Sequence, residues 1–333
     1  MTTFTTSQLG AMALGLAALA AAPYLIGNSY YVNIVTQILI GAVFASGLNI
    51  IAGYGGLISL GSAGLFGISA YTAAVMLGAG YGHMAAAVCA MVMSLFTSMV
   101  FAGLSLRASG IGFIMITLAL GQILWGLAYR WVSLTNGDNG ISLSSRPAPF
   151  GLSLESAPAF YYATLLVFLT ALVCMISFVR SPFGASLIGS RDQPRRMSAL
   201  GFHVWRIRFF ACIFSGLWTG VAGLMFLYYN QFISPHSMAL PASAEALLMV
   251  IAGGGSTLLG PIVGAALVIG IKLVASAYIE RWNFLLGAIF VLIVIFMPEG
   301  LLPGTIRLLR AAKAALRVCL QRTAAAPESG AGP

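Results

Sequence analysis

Continuous apolar runs of about 20 residues, separated by little more than a glycine, a proline or a basic side chain, recur along almost the whole of this chain. Coiled at about 1.5 Å per residue, such a run matches the roughly 30 Å hydrocarbon core of a bilayer. Spanning strands would instead alternate in polarity over about ten residues. Composition agrees: 60% of the 333 residues are hydrophobic and 7% are charged, against about a quarter charged in a soluble domain. Lipid offers the backbone no hydrogen-bond partners, so helices are the expected spanning form. The expected fold class is an all-α integral membrane protein.

Punctuation by Gly, Pro and charge divides the chain into about ten transmembrane spans, near 9–27, 30–53, 56–79, 83–106, 110–132, 158–180, 206–229, 242–258, 261–280 and 283–302. With the N-terminus inside, Arg107, Arg180, Arg191, Arg195, Arg196, Arg206, Arg208, Arg307, Arg310, Lys313, Arg317 and Arg322 fall on the inner side. Arg130, Arg146 and Arg281 fall outside, and Lys272 sits within a span. That bias fits the rule that cytoplasmic loops gather Lys and Arg, with both termini cytoplasmic. The net charge of +9 then reads as a topology signal, with no need for nucleic acid. A transmembrane domain over 1–302 is expected, with an external loop at 133–157, a cytoplasmic loop at 181–205 and a basic cytoplasmic tail at 303–333. The "AALAAAP" before Tyr24 would suit a signal-peptide cleavage site, but no basic residue precedes Arg107, so a charged n-region is missing.

Two stretches interrupt the helical pattern: "GLNIIAGYGGLISLGSAGLFGISAY" at 47–71 and "EALLMVIAGGGSTLLGPIVGAAL" at 245–267. Clustered glycines and small hydroxyl residues allow close helix packing. They equally suit broken or re-entrant segments lining a substrate path, for which Gly-interrupted segments in two halves are the pointer. On the second reading the path residues are Asn49, Ser59, Ser62, Gln122, Glu245 and Ser256. Lys272 is the one charge well inside a span and Glu245 lies about 7 Å shallower, so Lys272 is expected to pair with Glu245 or to snorkel to the outer interface. So thin a set of intramembrane charges argues against a proton- or sodium-coupled transporter.

"SLTNGDNGISLSSRPAPFGLSLES", residues 133–156, carries two Asn-Gly turn signals and two prolines and reads as a solvated cap. Its Asp138 to Gly140 resembles a fragment of a calcium loop, but the closing Glu is missing, and no metal site is expected. Cys89, Cys174, Cys212 and Cys319 have no metal-ligand spacing. His83, His203 and His236 fall in different loops or span ends, no catalytic constellation is apparent, and no G-x-x-x-x-G-K-[ST] phosphate loop occurs.

Within the inner loop, "SRDQPRRMSALGFHVWR" at 190–206 is polar and basic. Pro194 suits a first helical turn, Asp192 or Gln193 can cap it, and Gly201 suits the position just past its end, which gives a two-turn helix over 194–200. Met197 and Leu200 share a face, and Arg191, Arg195 and Arg196 surround it. So short a helix has no stability of its own in water and needs something to pack on.

From here the chain resembles a known family. "RRMSALGFHVWRIRFFACIFSGLWTGVAGLMF" is similar to the coupling segment and following span of the LivM-type permeases of ATP-driven (ABC) branched-chain amino-acid importers. The two Gly-rich stretches above, "GFIMITLALGQILWGLAYRWVSLTNGDNGIS" and "ERWNFLLGAIFVLIVIFMPEGLL" extend the likeness over most of residues 45–302. Ser62 departs from the His that many members carry, and Arg195, Arg196 and Met197 stand where Glu-Ala-Ala is usual. The resemblance implies a permease that works with a second, LivH-like permease, two LivG/LivF-like ATP-binding subunits and an extracytoplasmic binding protein. It also implies that ATP and Mg²⁺ are held by the ATP-binding subunits and no cofactor by this chain, and that Arg191, Asp192, Arg195, Arg196, Met197, Leu200 and Gly201 couple to the ATPase. Urea or short amides are the alternative substrates, since related permeases serve them.

Overall fold

The computed structural model describes residues 28–143, 154–255 and 257–278, with isolated positions outside those ranges. Apart from those isolated positions, the spans expected at 9–27 and 283–302 and the tail at 303–333 lie outside the described residues, as do Ser256 and Arg281.

Among the described residues, five helices are long and apolar enough to cross a membrane. The first, α1 (Ser29–Asn49), continues through a wider π-helical turn at Ile50–Tyr54. The others are α3 (His83–Ser105), α4 (Ile111–Arg130), α6 (Ala157–Arg180) and α9 (Val204–Asn230). They match five of the ten expected spans. Two more expected spans are shorter helices next to irregular backbone: α2 (Ser62–Gly78) follows a non-helical stretch over 55–61, and α10 (Leu240–Gly253) is 14 residues. Fourteen residues reach about 21 Å, short of the hydrocarbon thickness. The ninth expected span is α11 (Gly260–Tyr278).

Small residues set the packing. α9 lies against α1, α2 and α3, while α1 also meets α6, α10 and α11. Hydroxyls bridge these contacts by donating to glycine carbonyls: Ser69 to Gly220 at 2.7 Å, Ser94 to Gly216 at 3.1 Å and Ser215 to Gly47 at 2.6 Å. Without a hydrophobic drive between helices inside lipid, close backbone approach and such hydrogen bonds hold the bundle. α1 and α9 are accordingly the most buried of these five spans, while in α3, α4 and α6 a third of the apolar window or less is buried.

The two ends of the bundle differ. At the basic end, the segment expected as a loop over 181–205 is largely helical, as α7 (Pro182–Asp192) and α8 (Pro194–Ala199). Ser181 caps α7 by accepting from the Gly184 amide, and Pro182 starts the helix. At the far end, a turn of helix, α5 (Val132–Thr135), leads into a 3₁₀ turn at Gly137–Asn139. β1 (Ile141–Ser142) then pairs antiparallel with β2 (Phe232–Ile233). This small ribbon corrects the purely helical expectation: backbone leaving α9 and backbone of the 133–156 loop satisfy each other. Arg146 fastens the loop further, donating to the Glu155 and Tyr229 carbonyls and lying 5.0 Å from the Phe160 ring centre.

Candidate functional site

Both Gly-rich stretches are broken helices, and the fold brings the breaks together. The first break runs from the π turn to the start of α2; the second lies between α10 and α11, where Gly254 takes φ 106°, a conformation reserved for glycine. Gly53 and Gly255 meet backbone to backbone, so closely that a β-carbon on Gly53 would run into the Gly255 carbonyl. Asn49, 1% exposed, donates from Nδ2 to the Thr257 carbonyl at 3.0 Å and ties the two breaks directly.

Freed backbone inside a bundle needs polar partners, and neighbouring hydroxyls supply them. The Leu60 amide donates to Thr117 Oγ1 on α4 at 3.3 Å, and the Ala63 amide to Ser243 Oγ on α10 at 2.9 Å. Ser59 turns back to accept from the Gly61 amide. Around Ser59 and Ser62 lies a void of about 20 Å³, bordered by Ser98, Ser105, Thr117, Ser215 and Thr219. Ser62 and Ser98 place buried hydroxyls there without a protein partner among the described residues. A void of that size holds about one water.

The basic end is wired to the first break. Arg191, at the end of α7, donates from Nη1 to the Gly53 carbonyl at 2.8 Å and from Nε to Asp192 at 2.9 Å. Its stem lies over Gly56, whose φ is 67°. Arg208 anchors the other side of the segment by donating to the Ser190 carbonyl. α8 ends at Ala199, with Leu200 at its C-cap and Gly201 at φ 87°, as the glycine position led one to expect. Two expectations here need correcting. Neither Asp192 nor Gln193 caps α8 through its side chain, because Asp192 is engaged by Arg191. Met197 and Leu200 do not form one outward anchor: Met197 folds back over Gly189 of α7, while Leu200 is 67% exposed. Phe202 and Trp205, which follow Leu200 in the chain, are also exposed, and Trp205 stacks on Phe209. Arg195 and Arg196 are exposed.

Toward the far end, a cavity of about 330 Å³ opens between α1, α10, α11 and the 3₁₀ turn at Pro235–Met238. Glu245 and Lys272 line it, with Lys272 Nζ 3.0 Å from both carboxylate oxygens. The pairing anticipated from their depths along α10 and α11 is therefore present. Gln37, His236 and Ser237 add polar groups that sequence reasoning missed, since a single polar residue on an apolar helix or turn carries no signal of its own.

The five path residues that are described thus do not form one site, and Ser256 lies outside the described residues. Asn49 ties the breaks, Ser59 and Ser62 line the small void, and Glu245 lines the far-end cavity. Gln122 sits half-buried on α4 and borders neither.

Comparison with known proteins accords with this architecture. The chain is 28% identical to the high-affinity branched-chain amino acid transport system permease protein LivM of Salmonella typhimurium, over 82% of this chain and 70% of that protein. It is 29% identical to the protein of the same description from Escherichia coli, with the same coverage. No solved structure matches it with significance. The profile of the family described as "Branched-chain amino acid transport system / permease component" matches residues 30–294. With that match spanning both broken segments, α7, α8 and the far-end cavity, the chain belongs to this family of membrane-embedded permease components.

Proposed function

We propose that this chain is the transmembrane permease subunit of an ATP-driven (ABC) importer that carries branched-chain or related amino acids across the bacterial inner membrane. Family membership and the two LivM relatives support the transport role. One observation carries the mechanism: the exposed helix α8 hangs on a segment whose Arg191 is hydrogen-bonded to the broken stretch of α1. A displacement applied at α8 passes through α7 and one hydrogen bond to Gly53, then across the Gly53–Gly255 contact and the Asn49–Thr257 bond to the break before α11. Irregular backbone held by a few hydrogen bonds rearranges at lower cost than a continuous helix, which makes the paired breaks the natural moving part.

In this scheme the basic end is cytoplasmic, as the Lys and Arg bias directs. Two LivG/LivF-like ATP-binding subunits dock there and hold ATP and Mg²⁺. A second, LivH-like permease completes the membrane unit within the lipid, and an extracytoplasmic amino-acid-binding protein delivers substrate to the far end. The chain supplies the path and the coupling segment; hydrolysis belongs to its partners.

Leu200, 67% exposed just past α8, is the apolar contact offered to an ATP-binding subunit. Covering such a side chain stabilises by about 1.5–3 kcal/mol, and a charge in its place would be buried without a partner. Leu200→Asp is expected to abolish co-purification of the ATP-binding subunits or to remove ligand-stimulated ATP hydrolysis in the reconstituted complex. Arg195→Ala should do less, because an exposed charge is largely screened. Wild-type assembly and stimulation in Leu200→Asp would reduce α8 to a topology-setting loop.

A further inference from the structure

We propose that the Glu245–Lys272 pair is a receptor for the two charges of an amino-acid zwitterion, with the cavity beside it taking the apolar side chain. This rests on the importer proposal and extends it to the chemistry of the cargo. The pair is the first ground. An ionisable residue inside a membrane is costly, and a partly buried pair adds little stability over an apolar replacement. A structural purpose alone therefore leaves it unexplained. Its position at a cavity is the second. Side-chain exposures of 37% for Lys272 and 21% for Glu245 leave both charged heads reachable from the cavity they line.

The chemistry is reciprocal. An ammonium offers three donors and no acceptor, and a carboxylate offers only acceptors. A zwitterion entering between them gives its carboxylate to Lys272 and its ammonium to Glu245, so four charges alternate and none is left uncompensated. Ile40, Phe44, Met249 and Ile269 wall the rest of the cavity and suit an aliphatic side chain. At about 330 Å³ the space is at the small end for ligand pockets, the scale of one amino acid rather than a peptide. Gly41 sets that size on the α1 side, where a β-carbon would strike the Ile269 side chain. Urea and short amides bring neither charge. Separating the pair around a neutral molecule would leave two charges unsatisfied, so the site discriminates against them.

The test is uptake of radiolabelled leucine into proteoliposomes holding the complete importer with saturating binding protein. The double variant Glu245→Gln/Lys272→Met removes both charges of the pair together. It is expected to assemble and to lose about tenfold or more of leucine uptake. Glu245→Asp keeps the charge but withdraws it by one methylene; it should assemble normally and transport several-fold more slowly. Wild-type uptake by the double variant shows a pair that only neutralises Lys272, and overturns the proposal. If the double variant does not assemble, Glu245→Asp decides alone, and a wild-type rate there overturns it equally. Should the unaltered importer carry urea and no amino acid, the zwitterion receptor is refuted while the permease assignment stands; should it carry no solute at all, the importer proposal itself fails.

Discussion

Replacing Gly53 with Ala perturbs the junction of the two breaks with one methyl group. The new β-carbon would run into the Gly255 carbonyl and the Asn49 side-chain oxygen. The first is backbone, so no rotamer change clears the clash; the breaks must separate. Overpacking of this kind costs about 1–3 kcal/mol, and the Asn49–Thr257 hydrogen bond that spans the gap contributes a further 0.5–1.5 kcal/mol or so if it is lost. Together these give a destabilisation of about 1.5–4.5 kcal/mol. Gly126→Ala is the matched control: it lies within α4, and a β-carbon there meets nothing within 4 Å. That change should be neutral or stabilise by up to about 1 kcal/mol through helix propensity. Reversible unfolding in mixed micelles, following tryptophan fluorescence, measures both. Gly53→Ala within about 0.5 kcal/mol of the parent, or no worse than Gly126→Ala, would refute the claim that the breaks are held by backbone contact.

Arg191→Lys preserves the charge but has no planar fork to engage Asp192 and the Gly53 carbonyl together; ligand-stimulated ATP hydrolysis should fall several-fold with stability changed by less than about 1 kcal/mol, and unaltered stimulation would exclude the Arg191 link from coupling. Lys272→Met and Glu245→Gln should couple by about 0.5–3 kcal/mol in a double-mutant cycle of unfolding stability, whereas strict additivity would deny the pair in the folded protein. Single cysteines placed at Asp138 and at Ser198, both on exposed backbone segments, should react with impermeant thiol reagents from opposite sides of the membrane in intact cells, with Asp138 on the outside. Reversed accessibility would invert the proposed topology.

Much of this architecture is legible in the residues. Apolar runs at 30–53, 83–106, 110–132, 158–180 and 206–229 fix five spans because lipid allows only a fully bonded helix there. The Gly-rich stretches announce their own irregularity, as Gly254 does with a conformation few other residues adopt. Even the Lys272–Glu245 pair could be foreseen, since two lone charges in adjacent antiparallel helices at similar depth have few alternatives. Sequence could not say where α10 stops short, because its 14 residues are as apolar as those of a full span. Nor could it separate Met197 from Leu200: both lie on one face of a short helix, and only the packing of α8 on α7 turns one inward. The convergence of the breaks, Asn49 reaching Thr257 across 208 positions of chain and Arg191 reaching Gly53 across 138, is a matter of tertiary structure alone. Local patterning fixes which backbone will be helical, because each residue's periodicity and hydrogen-bonding needs are local. Which carbonyl a distant side chain finds is decided by how helices of nearly uniform apolar surface pack, and there only glycine gaps and hydroxyls distinguish one neighbour from another.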